Sequence, residues 1–145
     1  MSTLLVNQEE VCALLPMREC IAVMEQALGD LARGQAAQPL RQALPVPGGN
    51  GLMVMMPGYA GSIGTVGAKV FTVFPGNVGT GYDAHQGAVL LFETEHGCLQ
   101  AIVDGTAITP TTTAALRAGS HRVSVTLHRH SQYASAKKKP EIIVT

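Results

Sequence analysis

Residues 94–97, Thr-Glu-His-Gly, constrain this chain more than any other segment, because they separate two apolar runs at residues 87–93 and 98–103. A connection that short turns a strand back on its neighbour, whereas a parallel crossover needs about a dozen residues or more. The two runs are therefore read as an antiparallel hairpin. Upstream, residues 66–74 and 52–56 share the same β-branched, apolar composition and are read as further strands of one sheet. Pro39, Pro45 and Pro47 with Gly48-Gly49-Asn50-Gly51 mark an extended segment and a turn leading into it, not a domain linker.

Ahead of the sheet the pattern is helical. Residues 3–6 read as a short strand, and Asn7 as the N-cap of a helix over residues 8–15, with Glu9 and Glu10 at its positive end. Pro16 suits the first turn of a second helix. There Ile21, Met24, Ala27, Leu28 and Leu31 recur at three- and four-residue spacing, and Gly34 offers a C-terminal stop. This helix is expected to lie on the sheet. From Thr109 the pattern turns helical again, with Pro110 expected in the first turn. The fold class that follows is α+β: a mainly antiparallel sheet with N-terminal helices packed on it.

At 145 residues, 46% apolar and 14% charged, the chain suits one globular unit able to bury a core without metals or disulfides. Cys12, Cys20 and Cys98 form no CxxC pair and are odd in number, so a reducing, cytoplasmic setting is the simplest reading. The start lacks a secretory leader, and no apolar run reaches about 18 residues, which disfavours secretion and membrane insertion. The net charge of +0 hides an asymmetry: up to Arg117 five cations face nine carboxylates, and from Ala118 five cations face one carboxylate. That end also holds His121, His128, His130 and Lys137-Lys138-Lys139. It reads either as a basic arm for an acidic partner or nucleic acid, or as an atypical tail that is disordered or not native coding sequence. Alternation of Val123, Val125 and Leu127 with polar residues is compatible with a short strand there.

Lys69 stands on an apolar strand, on one face with Phe71 and Val73. A lysine is seldom buried unpaired, so an inward Lys69 suits a substrate carboxylate or an imine, while an edge position would send the ammonium to water. Arg41, between Pro39 and Pro45, sits on a stiff extended segment that could aim a guanidinium at a carboxylate, or be a surface arginine. His85 follows the glycine-rich turn of residues 76–83 at the mouth of a strand, where it could donate to a substrate or a phosphate, or be satisfied by backbone. Asp104 ends a strand ahead of a helix and either orients a neighbour or closes the turn.

Two apparent motifs are set aside. Residues 79–84 match the GxGxxG/A spelling of a dinucleotide loop, but a strand follows, so no helix N-terminus is there to receive a pyrophosphate. His121, His128 and His130 have no cysteine or carboxylate at ligand spacing, which argues against a metal site.

Arg41, Met55-Met56-Pro57, Gly67-Ala68-Lys69-Val70, Phe74-Pro75-Gly76-Asn77, His85-Gln86-Gly87, Val89-Leu90-Leu91-Phe92 and Asp104-Gly105-Thr106-Ala107-Ile108-Thr109 occur in one order. In that order they resemble the first domain of the ornithine cyclodeaminase/mu-crystallin family. The resemblance covers residues 1–118, leaves 119–145 as the atypical basic tail, and stops where that family's Rossmann domain would begin. It implies NAD(P)(H)-dependent imine or amino-acid oxidoreduction or deaminating cyclisation in the full-length family. It also implies a first domain that supplies substrate contacts and a dimer sheet. By that resemblance Arg41 and Lys69 hold the carboxylate of a small amino or imino acid, with Lys69 also near the reacting carbon–nitrogen bond as the catalytic residue and His85 beside the substrate.

The chain departs from the family pattern at three points. Thr112 stands where the helix arginine of the carboxylate clamp is expected. Arg117, five residues on, points about 140° away. Loss of such a contact weakens anion binding by roughly 1.5–3 kcal/mol. Val54 stands where an ornithine-specific member carries a glutamate, which favours ketimine reductase or alanine dehydrogenase chemistry over ornithine. Without the dinucleotide domain the chain is expected to be a truncated member, inactive alone, with no cofactor bound. The alternatives are a non-catalytic module that binds a small carboxylate or dimerises, and, last, a nucleic-acid binder, which the short cluster with only Tyr133 interleaved argues against.

Overall fold

The computed structural model describes residues 2–119, 125–128 and 141–144. Strand β1 (Leu4–Val6) leads into helix α1 (Gln8–Leu14) and helix α2 (Met17–Ala32). Strands β2 (Ala36–Ala37), β3 (Gln42–Pro45), β4 (Leu52–Ala60), β5 (Thr65–Val73), β6 (His85–Glu93) and β7 (Leu99–Asp104) follow, then helix α3 (Gly105–Gly119). Strands β8 (Val125–His128) and β9 (Glu141–Val144) form a separate antiparallel pair. His121, His130, Tyr133 and Lys137-Lys138-Lys139 lie outside the described residues.

The architecture is α+β. β1 to β7 make one sheet in the order β1-β7-β6-β5-β4-β2, with β3 also paired to β4. Every pair is antiparallel except β1 with β7. The four-residue connection makes β6 and β7 a hairpin, as its length requires. Glu93 fastens that turn by accepting from the backbone N–H groups of Glu95, His96 and Cys98. These hydrogen bonds, that from Cys98 foremost, lower its carboxyl pKa to about 2.

α1 begins at a complete capping box: Asn7 Oδ1 accepts from the Glu10 N–H at 3.0 Å, and Glu10 Oε2 accepts from the Asn7 N–H at 2.8 Å. Pro16 caps α2 from outside its first turn, and Gly34 closes the other end with φ +71°. α2 packs on the sheet through its edge strand β2, as expected, and also on α3. The small residues of α3 allow a close approach, so the buried positions are Val11 of α1, Cys20 of α2 and Ala107 and Ala115 of α3, over Val54 and Ala101 of the sheet. Val11 and Val54 each contribute roughly 1.5–3 kcal/mol through burial. Asp30, buried near the end of α2, accepts from Ser62 at 2.6 Å and from Arg33 at 2.7 Å, tying the helix to the β4–β5 turn.

α3 starts at Gly105, four residues ahead of the expected Thr109, and Pro110 lies in its second turn. One local device offsets the poor helix composition. Asp104 Oδ1 accepts from the N–H groups of Thr106 and Ala107, capping the helix. The hydroxyls of Thr109, Thr111, Thr112 and Thr113 each donate to the carbonyl four residues back. Asp104 thus closes the strand-to-helix turn, the second of the two roles open to it.

Register assigns the sheet faces. Met56, Lys69, Val89 and Val103 stand side by side across β4, β5, β6 and β7, on the face that α3 covers. On the opposite face no helix packs among the described residues, and Leu5, Leu44, Met53, Tyr59 and Val66 are all exposed, Leu5 by 69%.

Candidate functional site

β5 brings Lys69 under α3 because strand alternation turns residues 67, 69, 71 and 73 to one face. Lys69 is half-buried and has no carboxylate within ion-pairing distance among the described residues. Its Nζ donates to Thr109 Oγ1 at 2.5 Å and lies 4.8 Å from the centre of the Phe71 ring. Burial pulls its pKa below the ordinary lysine value, since desolvation disfavours the charged form.

Phe71 carries the site on to His85. The His85 ring stacks on Phe71 with centroids 6.3 Å apart and planes at 25°. His85 opens β6, pairs across to Val73, and is exposed. Lys69, Phe71 and His85 therefore form one continuous line along the helix-covered face.

Arg41 stands apart from that line. It precedes β3, is exposed, and makes no ion pair with the described residues. Gln42 pairs with Met55, so continuing the register one residue puts Arg41 across from Met56, whose other neighbour is Lys69. Two strand spacings separate Arg41 from Lys69, about 10 Å between Cα atoms. Both side chains are long enough to reach one bound carboxylate from two sides.

At Thr112, where the resemblance led to the expectation of an arginine, the hydroxyl donates to Ile108 O at 2.8 Å and adds no cation. Phe71 was already placed on the Lys69 face by strand alternation, and Thr109 is the site neighbour that sequence reasoning did not single out. No local signal marks Thr109, because its contact with Lys69 joins residues 40 apart in sequence. Residues 79–84 form a turn running into β6, so the GxGxxG/A match has no helix behind it. Among the described residues there is no cluster of metal-ligating side chains, and no helix is long and apolar enough to cross a membrane.

Among the described residues the half-buried Lys69 ammonium has no counter-ion and is backed by a hydroxyl and an aromatic face, a chemistry compatible with an anion. The profile of the ornithine cyclodeaminase/mu-crystallin family matches residues 1–123. The chain belongs to that family. Ketimine reductase mu-crystallin of Mus musculus is 35% identical over 101 residues, covering 68% of this chain and 32% of the mouse protein. Delta(1)-pyrroline-2-carboxylate reductase of Thermococcus litoralis, solved with NADH and L-proline, superposes with a TM-score of 0.76 at 30% identity, covering 79% of this chain and 36% of that one. An archaeal alanine dehydrogenase dimer with bound NAD gives 0.73 at 31% identity, over 79% of this chain and 35% of its own. The chain thus spans about a third of the length of the relatives it matches.

Within this family Val54 is a buried apolar residue, 5% exposed, on the helix-covered face. The described residues contain no strand-to-helix turn that fits a dinucleotide pyrophosphate, so no chemical step is derived through NAD(P).

Proposed function

We propose that this chain is the substrate-side and dimerising domain of an NAD(P)-dependent imine or amino-acid oxidoreductase. The reductase or dehydrogenase type is favoured over ornithine cyclisation. Residues 1–118 form that domain and 119–145 an atypical tail. Lys69 stands at the reacting carbon–nitrogen bond, with Arg41 and His85 around a small amino or imino acid. One observation carries the reading: the Lys69 ammonium is half-buried, held by Thr109 and Phe71, and has no carboxylate beside it among the described residues. The relatives support the substrate class, since the Thermococcus enzyme holds NADH and L-proline, and the buried Val54 leaves no acid on β4 for a second amino group.

Hydride transfer belongs to the nicotinamide, and the chain alone is proposed to be inactive. Its own residues bind and orient the carboxylate beside the half-buried Lys69. The open sheet face, apolar and exposed at Leu5, Leu44, Met53, Tyr59 and Val66, supports a homodimer. The archaeal alanine dehydrogenase is itself a dimer.

Calorimetric titration of the chain with pyruvate and with L-proline tests the carboxylate reading. Wild type is expected to bind, and Lys69→Met to bind about tenfold more weakly or worse, the equivalent of losing one charge-assisted contact of about 1.5 kcal/mol. A flat response from wild type would refute it. NADH oxidation by tag-free chain with Δ1-pyrroline-2-carboxylate would refute the proposed inactivity.

A further inference from the structure

Thr109 lies one turn into α3, and its hydroxyl has two partners. It donates to Gly105 O at 2.8 Å and accepts from Lys69 Nζ at 2.5 Å. A hydroxyl owns one proton. With that proton held by the helix, the oxygen presents only lone pairs to Lys69, so the direction of the Lys69 hydrogen bond is fixed. We propose that Thr109 is a positioning residue that locks the Lys69 side chain over Phe71 and aims its remaining N–H groups at a ligand carboxylate. The inference rests on the carboxylate-binding reading of Lys69.

The neighbouring threonines supply the contrast. Thr111, Thr112 and Thr113 make the same bond to the carbonyl four residues back, but among the described residues only the Thr109 hydroxyl also meets a cation. Its anchor is rigid as well. A Cβ on Gly105 would fall 2.9 Å from Gly87 O, so the first turn of α3 rests on the backbone of β6, the strand beside Lys69. Gly87, Gly105, Thr109 and Lys69 form one path from sheet to helix and back to sheet. A lysine held at both its stem and its tip gives up little rotamer freedom when a ligand arrives, which is the advantage of a preorganised site.

Few charges surround Lys69. His85 lies beyond Phe71, Arg41 beyond Met56, Asp104 at the end of β7 with its carboxylate committed to the Thr106 and Ala107 N–H groups, and Glu93 at the far end of β6 with its carboxylate committed to the 95–98 turn. α3 carries no ionisable residue from Gly105 to Leu116. A hydrogen bond to the ammonium favours the charged form, so its removal lowers the Lys69 pKa. Binding that needs the ammonium is present below that pKa and lost above it. The alkaline loss of carboxylate binding therefore moves to lower pH when the hydroxyl is removed.

The test uses the full chain and pyruvate, which has no group titrating in the alkaline range. Affinity is measured by calorimetry across neutral to alkaline pH, and the Lys69 side chain is titrated by NMR. Thr109→Val fills the space of the hydroxyl and Thr109→Ala empties it. Both are expected to shift the Lys69 titration and the alkaline limb of binding downward by about half a unit to one unit, after discounting for partial exposure. Thr109→Ser is expected to restore both. An unshifted Lys69 titration in whichever hydroxyl-free variant folds, or a shift that Ser does not rescue, would overturn the proposal. Retention of pyruvate binding in Lys69→Met would instead remove the reading beneath it, so the two failures are separable.

Discussion

Replacing Gly105 with alanine tests the seating of α3 on the sheet. The added Cβ would lie 2.9 Å from Gly87 O, 3.0 Å from Gly87 C and 3.2 Å from Ala88 N, against an ordinary contact of 3.4–4 Å. Every one of these atoms is backbone, and β6 is paired on both sides, by β5 and by β7. The strand cannot yield, so the helix must lift by about 0.5 Å. Overpacking of this kind costs about 1–3 kcal/mol, and the better helix propensity of alanine returns only part of its full ~1 kcal/mol at a first-turn position. The net loss is about 1–2 kcal/mol. With a urea slope of about 1–3 kcal/mol per molar, the unfolding midpoint falls by roughly 0.3–2 M. Gly29→Ala in the last turn of α2 is the control. There the near atoms are the guanidinium of the exposed Arg33 side chain, 3.0 Å away at closest, which can swing aside if its bond to Asp30 loosens. That variant is expected to gain up to about 1 kcal/mol. A Gly105→Ala midpoint equal to or above wild type would refute the close-seated helix and, with it, the rigid anchor beneath Thr109.

Glu93 should govern the acid behaviour of the β6–β7 turn. Its carboxyl is lowered from 4.5 to about 2, so its stabilising effect is complete above pH 4.5 and is lost as pH falls toward about 2; the amide signals of Glu95, His96 and Cys98 are expected to shift together across that window in NMR titration. Ser62→Ala should raise the Asp30 pKa back toward its ordinary value, because the Ser62 hydrogen bond is the largest cause of its lowering, and an unchanged carboxyl-carbon titration would refute the tie between α2 and the turn. Val66→Lys, placed on the open sheet face, should reduce self-association in sedimentation velocity. A wild-type chain that stays monomeric at high concentration would refute the proposed dimer sheet.

Local chemistry made some elements plain in advance. Asn7 and Glu10 spelled a cap, the four residues 94–97 forced a hairpin, and alternation put Lys69 on the face of Phe71. Elsewhere tertiary partners overrode local signals. Pro57-Gly58 reads as a strand breaker, yet β4 runs on to Ala60, because Pro57 stands between the stretches paired with β3 and with β2 and has a neighbour on one side only. Pro110 and the threonines hid the start of α3, since the Asp104 cap and the bonds from hydroxyl to backbone are geometric and leave no mark in composition. The Lys69–Thr109 contact joins residues 40 apart in sequence, and nothing in the local pattern of either residue announces the other.

The parallel strand at the sheet edge also sets an order of events. Leu4 pairs with Ala101, so β1 cannot dock until a loop of 97 residues has closed, at an entropic cost of about 4 kcal/mol. The β4–β5–β6 meander closes through short turns and can form without it. Strand β1 is therefore the last piece of the sheet to lock, and in pulsed hydrogen exchange its amides should gain protection after those of β5. Until it does, the outer edge of β7 is an open template, and on a ribosome that interval lasts at least until Val103, the partner of Val6, has been synthesised.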